Sequence, residues 1–319
     1  MRLGLCTAVI AVALAIGAHP AGATELVQTV GSSAGNALTW WRAAILGIVE
    51  GLTEYLPISS TGHLLIASRL LDLPSEQGSA GLEAVNTYVI AIQFGAILAV
   101  LGVFRRRFRE MVAGLVGRDA DGRHLLIALV IAFLPAAILG VALDKRIEST
   151  LFGPWPIVAA WIAGGILILA LERTGRIPRG GDRREATSGV LAITHHQAFL
   201  IGLAQCGALW PGTSRSLATI IGALLVGVAM PAAVEFSFLL GFATLSAATL
   251  YKLGKDGGTL VDEFGVVSPL IGAAFAFVAA VIAIRWLVRY LSKHDLTIFA
   301  WYRFVIAGGA IVLLSWGVI

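Results

Sequence analysis

Residues 41–73 read WRAAILGIVEGLTEYLPISSTGHLLIASRLLDL, an apolar stretch long enough to cross a bilayer but broken in its middle by Pro57 and the hydroxyl run Ser59-Ser60-Thr61. A membrane-crossing helix needs about 20 predominantly apolar residues, and irregular backbone at that depth survives only where protein buries it or a watery cavity lines it. The stretch therefore reads as a helix, a loop and a second helix that turns back. Residues 197–229 are broken in the same way, by Pro211-Gly212 and Thr213-Ser214. Setting Gly47-Ile48-Val49-Glu50 over Gly202-Leu203-Ala204-Gln205 brings, if one residue is skipped, Pro57 over Pro211 and Ser60 over Ser214.

The rest of the chain belongs in a bilayer. Of its 319 residues 58% are hydrophobic and 13% charged, against about a quarter charged in soluble domains. Apolar stretches at residues 85–104, 125–143, 157–171, 232–251, 266–284 and 298–316 predict six transmembrane helices. The expected fold is thus all-α and polytopic, with six transmembrane helices plus two re-entrant helix-loop-helix pairs. Each broken segment precedes three spans, and an odd number of crossings inverts the second copy, which gives an inverted-topology repeat. Its first unit covers residues 38–172 and its second residues 195–319, joined by a basic cytoplasmic loop at 173–194.

Charge placement orients this arrangement. Residues 105–124, 173–194 and 285–296 hold six, five and three Lys or Arg, whereas residues 69–84, 144–156 and 252–265 hold one, two and two. The positive-inside rule puts the richer set in the cytoplasm and the start of the first span outside. Residues 1–23 would deliver it there: Arg2, an apolar run from Ala8 to Gly17, and Ala21-Gly22-Ala23 read as a secretory signal, with an uncleaved extra span as the alternative. The net charge of +4 is then a matter of topology, not of nucleic-acid binding. Two cysteines, Cys6 and Cys206, support neither a disulfide framework nor a zinc site.

Ionisable groups at membrane depth are costly and mark function. Glu50 and Glu54 stand one helical turn apart on one face, with no basic residue a turn away, so a divalent cation between them would relieve their repulsion. Ser59, Ser60, Thr61 and Gly62 open a helix whose free N–H groups favour a phosphate. His63 can exchange a proton near neutral pH. The second break offers Thr213, Ser214, Arg215, Ser216 and Thr219, where Arg215 can meet a phosphate with two parallel hydrogen bonds. Arg303, between Tyr302 and Phe304 and near Trp301, reads as an interfacial anchor. His195 and His196 read as solvated, and Glu235, opening a span, reads equally as a site residue or a solvated one.

Residues 50–63, EGLTEYLPISSTGH, and 211–216, PGTSRS, closely resemble the two signature segments of the undecaprenyl-diphosphatase family of the bacitracin-resistance type. The resemblance extends to residues 92–100, 209–210 and 235–240, and covers most of the chain after about Leu38. It implies six spans with two re-entrant pairs, a site open to the outer face of the bacterial inner membrane, and hydrolysis of undecaprenyl diphosphate to the monophosphate for lipid-carrier recycling in cell-wall synthesis. It also implies a site formed by Glu50, Glu54, Ser60, His63, Ser214, Arg215 and Thr219, supported by Mg2+ or Ca2+. On that reading Glu50 and Glu54 hold the cation. Arg215, Ser59, Thr61, Gly62, Thr213, Ser214, Ser216 and Thr219 receive the phosphates, and Ser60 or a water attacks with His63 assisting. The sequence departs from the common pattern at Val89, where many members carry glutamate, and at Gly241-Phe242-Ala243, where many carry proline. A polyprenyl-phosphate transporter is the rival, since inverted repeats with broken helices are common in carriers. Oligomeric state, a homodimer included, stays open.

Overall fold

The computed structural model describes residues 39–73, 80–177, 189–264 and 266–318. The signal-like residues 1–23 and residues 178–188 of the basic loop lie outside them. Among the described residues the secondary structure is entirely helical. Helices α1 (Trp40–Thr53) and α2 (Ser60–Leu70) flank the first break. They are followed by α3 (Ala80–Val103), α4 (Arg105–Leu115), α5 (Ala120–Leu151) and α6 (Pro154–Arg173). Helices α7 (His195–Cys206) and α8 (Arg215–Leu225) flank the second break, and α9 (Met230–Phe264), α10 (Val267–Leu291) and α11 (Thr297–Ser315) complete the chain.

Five of these helices, α5, α6, α9, α10 and α11, are long and apolar enough to cross a membrane, and α3 with α4 makes a sixth if that pair, bent by 80° at Phe104, is counted as one span. All six apolar stretches expected from the sequence fall in helices. Two helices run further than expected: α5 continues through Asp144-Lys145-Arg146, and α9 continues through residues 252–264. For α5 the reason is plain, because breakers and caps end helices rather than loss of apolar character, and the break arrives only at Gly153, with Pro154 opening α6.

The two broken segments match without any skipped residue. Trp40 and His195 open α1 and α7, Ser60 and Arg215 open α2 and α8, and Leu70 and Leu225 close them, each pair 155 residues apart. Both N-cap positions hold a serine in the left-handed half of backbone space, Ser59 at φ 70° and Ser214 at φ 75°. Ser214 therefore corresponds to Ser59, not to Ser60 as the proline match implied. The prolines mislead because they occupy different steps of the two connections: Pro57 stands opposite Gly212.

Helix packing follows the same exchange of halves. Helix α1 packs on α10 as α7 packs on α5; α10 lies on α3 as α5 lies on α9; α3 meets α9 and α6 meets α11. Helices in lipid gain nothing from leaving water and associate through close packing. Gly47 on α1 presses on the backbone of Gly272, and its counterpart Gly202 on α7 presses on Ala132; a Cβ at either would overlap a carbonyl oxygen. The largest buried cluster runs through both breaks, with Tyr55, Leu56 and Ile58 from the first and Leu217 and Ile220 from the second against Phe236, Phe238 and Leu240 of α9.

Candidate active site

The first connection, Glu54 to Ser59, exposes carbonyl groups that no helix can satisfy, since Pro57 offers no N–H and disfavours helical backbone before it. Side chains from distant elements fill the gap. The Leu56 carbonyl accepts from Ser216 Oγ at 3.0 Å and Ser214 Oγ at 3.4 Å, and the Ile58 carbonyl accepts from Trp161 Nε1 at 3.0 Å. Arg303 reaches both breaks: Nε donates to the Pro57 carbonyl at 2.9 Å, Nη1 to that of Gly212 at 3.3 Å, and Nη2 to that of Thr213 at 2.6 Å. It is fully buried. This overturns its reading as an interfacial anchor. The signal was present, a cation deep in the apolar helix α11, but the neighbouring Trp301 and Tyr302 pointed to an interface instead.

Three of the sequence-predicted residues converge. Ser60 Oγ donates to Glu54 Oε2 at 2.5 Å, and Arg215 Nη2 donates to the other oxygen, Glu54 Oε1, at 3.4 Å. Arg215 Nη1 also donates to the Ser237 carbonyl at 3.1 Å, and its guanidinium lies 5.8 Å over the Tyr55 ring. Gly241 is what admits it, since a Cβ there would overlap the guanidinium. Thr219 supports the same wall through Ser237, the two hydroxyls 2.6 Å apart. The side chains of Arg215 and Glu54 remain 11% and 7% exposed, so the cluster opens narrowly to the surface. Glu50, one turn before Glu54, is fully buried beside the Gln93 side chain, and neither of its carboxylate oxygens makes a well-formed hydrogen bond.

His63 is engaged elsewhere. Its Nδ1 lies 2.6 Å from the Ser59 carbonyl and its Nε2 lies 2.7 Å from the Tyr302 hydroxyl. A carbonyl can only accept, so Nδ1 carries the proton and Nε2 accepts from the phenol. The ring stacks on Tyr302 at 5.6 Å and meets Trp161 edge-on at 5.5 Å. Ser60 is bonded to Glu54, and His63 is not among its partners. Tyr302 was missed; its only signal was a phenol within a span.

The remaining candidates serve the frame. Ser214 and Ser216 lie 3.0 Å apart and brace Leu56, Ser214 also capping α8 by accepting from Leu217 N. Thr213 lends its carbonyl to Arg303, Gly62 abuts the Trp161 ring, and Thr61 is exposed. Glu235 faces Arg107 in an ion pair of 2.7 Å, which settles its ambiguity in favour of a structural contact. His195 stacks on His124 at 4.5 Å. Among the described residues no three of His, Cys, Asp and Glu gather as a metal cluster. Glu50 and Glu54 are thus the most that these residues could offer a divalent cation, and buried carboxylate oxygens suit a hard ion that keeps water or phosphate among its ligands, as Mg2+ does.

Two broken segments of a multi-pass membrane protein, one bringing carboxylates and a serine and the other a guanidinium, meet in one polar cluster. The family model of bacitracin resistance protein BacA matches residues 43–309, and the chain belongs to that family. It is 49% identical over 275 residues to undecaprenyl-diphosphatase 2 of Rhodospirillum rubrum, covering 86% of this chain and 94% of that one. Undecaprenyl-diphosphatases of Sorangium cellulosum and Nitrosomonas europaea are each 46% identical, over 86% of this chain and 85% and 93% of theirs.

Proposed function

We propose that this protein hydrolyses undecaprenyl diphosphate to undecaprenyl phosphate and inorganic phosphate. The contact that carries the reading is Ser60 to Glu54 to Arg215, which joins a hydroxyl, a proton acceptor and a phosphate-binding guanidinium across the two halves. The names of the relatives point to the same reaction. Glu54 takes the proton as Ser60 Oγ attacks the terminal phosphorus; the bond to the bridging oxygen breaks and undecaprenyl phosphate leaves, taking that proton from Glu54. Glu54, again a carboxylate, takes a proton from water as the water oxygen attacks the phosphoserine, and hands it to Ser60 Oγ as inorganic phosphate departs. Arg215 and the first-turn N–H groups of α2 stabilise the charge spread over the phosphoryl oxygens, the main source of rate in phosphoryl transfer. Glu50, with Glu54, would hold a divalent cation, which when bound neutralises further phosphate charge.

The reading includes an arrangement in the bilayer: six spans and two re-entrant pairs as an inverted repeat, first unit 38–172 and second 195–319, in the bacterial inner membrane with the site toward the periplasm. The gapless match of the two broken segments and the exchange-related packing support the repeat, and the loop charges support the orientation. The test is phosphate release from undecaprenyl diphosphate by purified protein in detergent, where no second compartment exists. Turnover that chelator stops and added Mg2+ or Ca2+ restores is expected; lipid binding without phosphate release would leave a carrier in its place.

A further inference from the structure

Helix α4 carries a feature that the hydrolytic site does not use. One side of it is tied down: Met111 and Gly114 are buried, Gly114 and Gly122 bring α4 and α5 into backbone contact, and Arg107 is paired with Glu110 at 2.8 Å and with Glu235 of α9 at 2.7 Å. The other side is open. Arg105, Arg109, Val112 and Val116 follow at helical spacing along one face, and all four are exposed. With Leu101 of α3, Phe108, Ala113 and Arg118 they line a groove of about 730 Å³ in the elbow of the 80° bend.

The three arginines of this groove form no ion pair among the described residues, whereas Arg106 and Arg107 of the same helix do. Guanidinium groups beside Leu101, Phe108, Val112 and Val116 are complementary to a molecule with an anionic head and an apolar tail. The bend turns α4 away from the axis of α3, an arrangement that suits a helix lying in the headgroup region at the end of a span. We infer that this groove is a binding site for an anionic phospholipid, its phosphodiester on Arg105, Arg109 and Arg118 and one acyl chain over Val112 and Val116.

The experiment places the full-length protein in phosphatidylcholine nanodiscs and titrates in spin-labelled phosphatidylglycerol, reading the motionally restricted lipid. The triple variant Arg105→Gln, Arg109→Gln, Arg118→Gln should weaken retention roughly fivefold for each arginine lost. Arg106→Gln, which removes the same charge from the same helix outside the groove, should leave it unchanged. Val112→Ser with Val116→Ser should lower retention of long-chain but not of dihexanoyl phosphatidylglycerol. Inorganic phosphate in excess should not compete. Equal retention by the triple variant, an equal loss in Arg106→Gln, competition by free phosphate, or preference for undecaprenyl phosphate over phosphatidylglycerol would each overturn the inference.

Discussion

Arg215 touches three things at once, the Glu54 carboxylate, the Ser237 carbonyl and the face of Tyr55, and only a planar fork can do so. Arg215→Lys should therefore lose about a hundredfold in phosphate release at saturating lipid while staying monodisperse, the cost of one strong charge-assisted contact in the transition state. Activity within about twofold of wild type would reduce Arg215 to a structural cation. For His63, Tyr302→Phe removes the donor to Nε2 and keeps the stacked ring, so the protein should fold, lose about 1–3 kcal/mol of stability for the unpaired ring nitrogen and keep kcat within about twofold; a hundredfold loss in phosphate release would put His63 in the proton transfer. At this scale the sequence was legible where residues were both chemically costly and close together: Glu50, Glu54, Ser60 and Arg215 all stand out beside a break. Arg303 and Tyr302 were not, because their partners lie 90 to 246 residues away along the chain and no local spacing encodes them.

The helices show what local signals can and cannot say. Proline marked both breaks, yet the conformation that matters there is borne by serines at φ 70° and φ 75°, residues that ordinary preference would not place in that region. Ser214 has a capping bond to Leu217 N, whereas Ser59 has none from its side chain. Glycine adopts such backbone freely and a β-branched residue does not. Ser59→Gly should accordingly keep its apparent melting temperature within a few degrees and retain activity, while Ser59→Val should cost roughly 1–3 kcal/mol of stability and abolish turnover. A tolerant Ser59→Val in a thermal unfolding series would show that the turn is not strained. Helix ends were less legible than helix centres: charge after an apolar run looked like a loop at residues 144–151, but nothing there stops a helix before Gly153.

On the scale of the whole molecule, the loop charges predict which ends share a side. In a cysteine-free background, Arg118→Cys, at the basic end beyond α4, should resist an impermeant maleimide added to intact cells, and Phe152→Cys, between α5 and α6, should react. The reverse pattern would turn the site toward the cytoplasm. The likeness of the two broken segments was legible, although their register was not, since one proline in each is too little to set an alignment that the helix boundaries set without ambiguity. One guanidinium from α11 touches both connections, but its bonds to Gly212 and Thr213 stay within the second half, and only those to Pro57 and Ala160 cross to the first, so a rocking of the halves would break two hydrogen bonds there. In the proposed orientation hydrolysis leaves the monophosphate in the leaflet where the diphosphate was, so phosphate release by itself moves no lipid across the membrane.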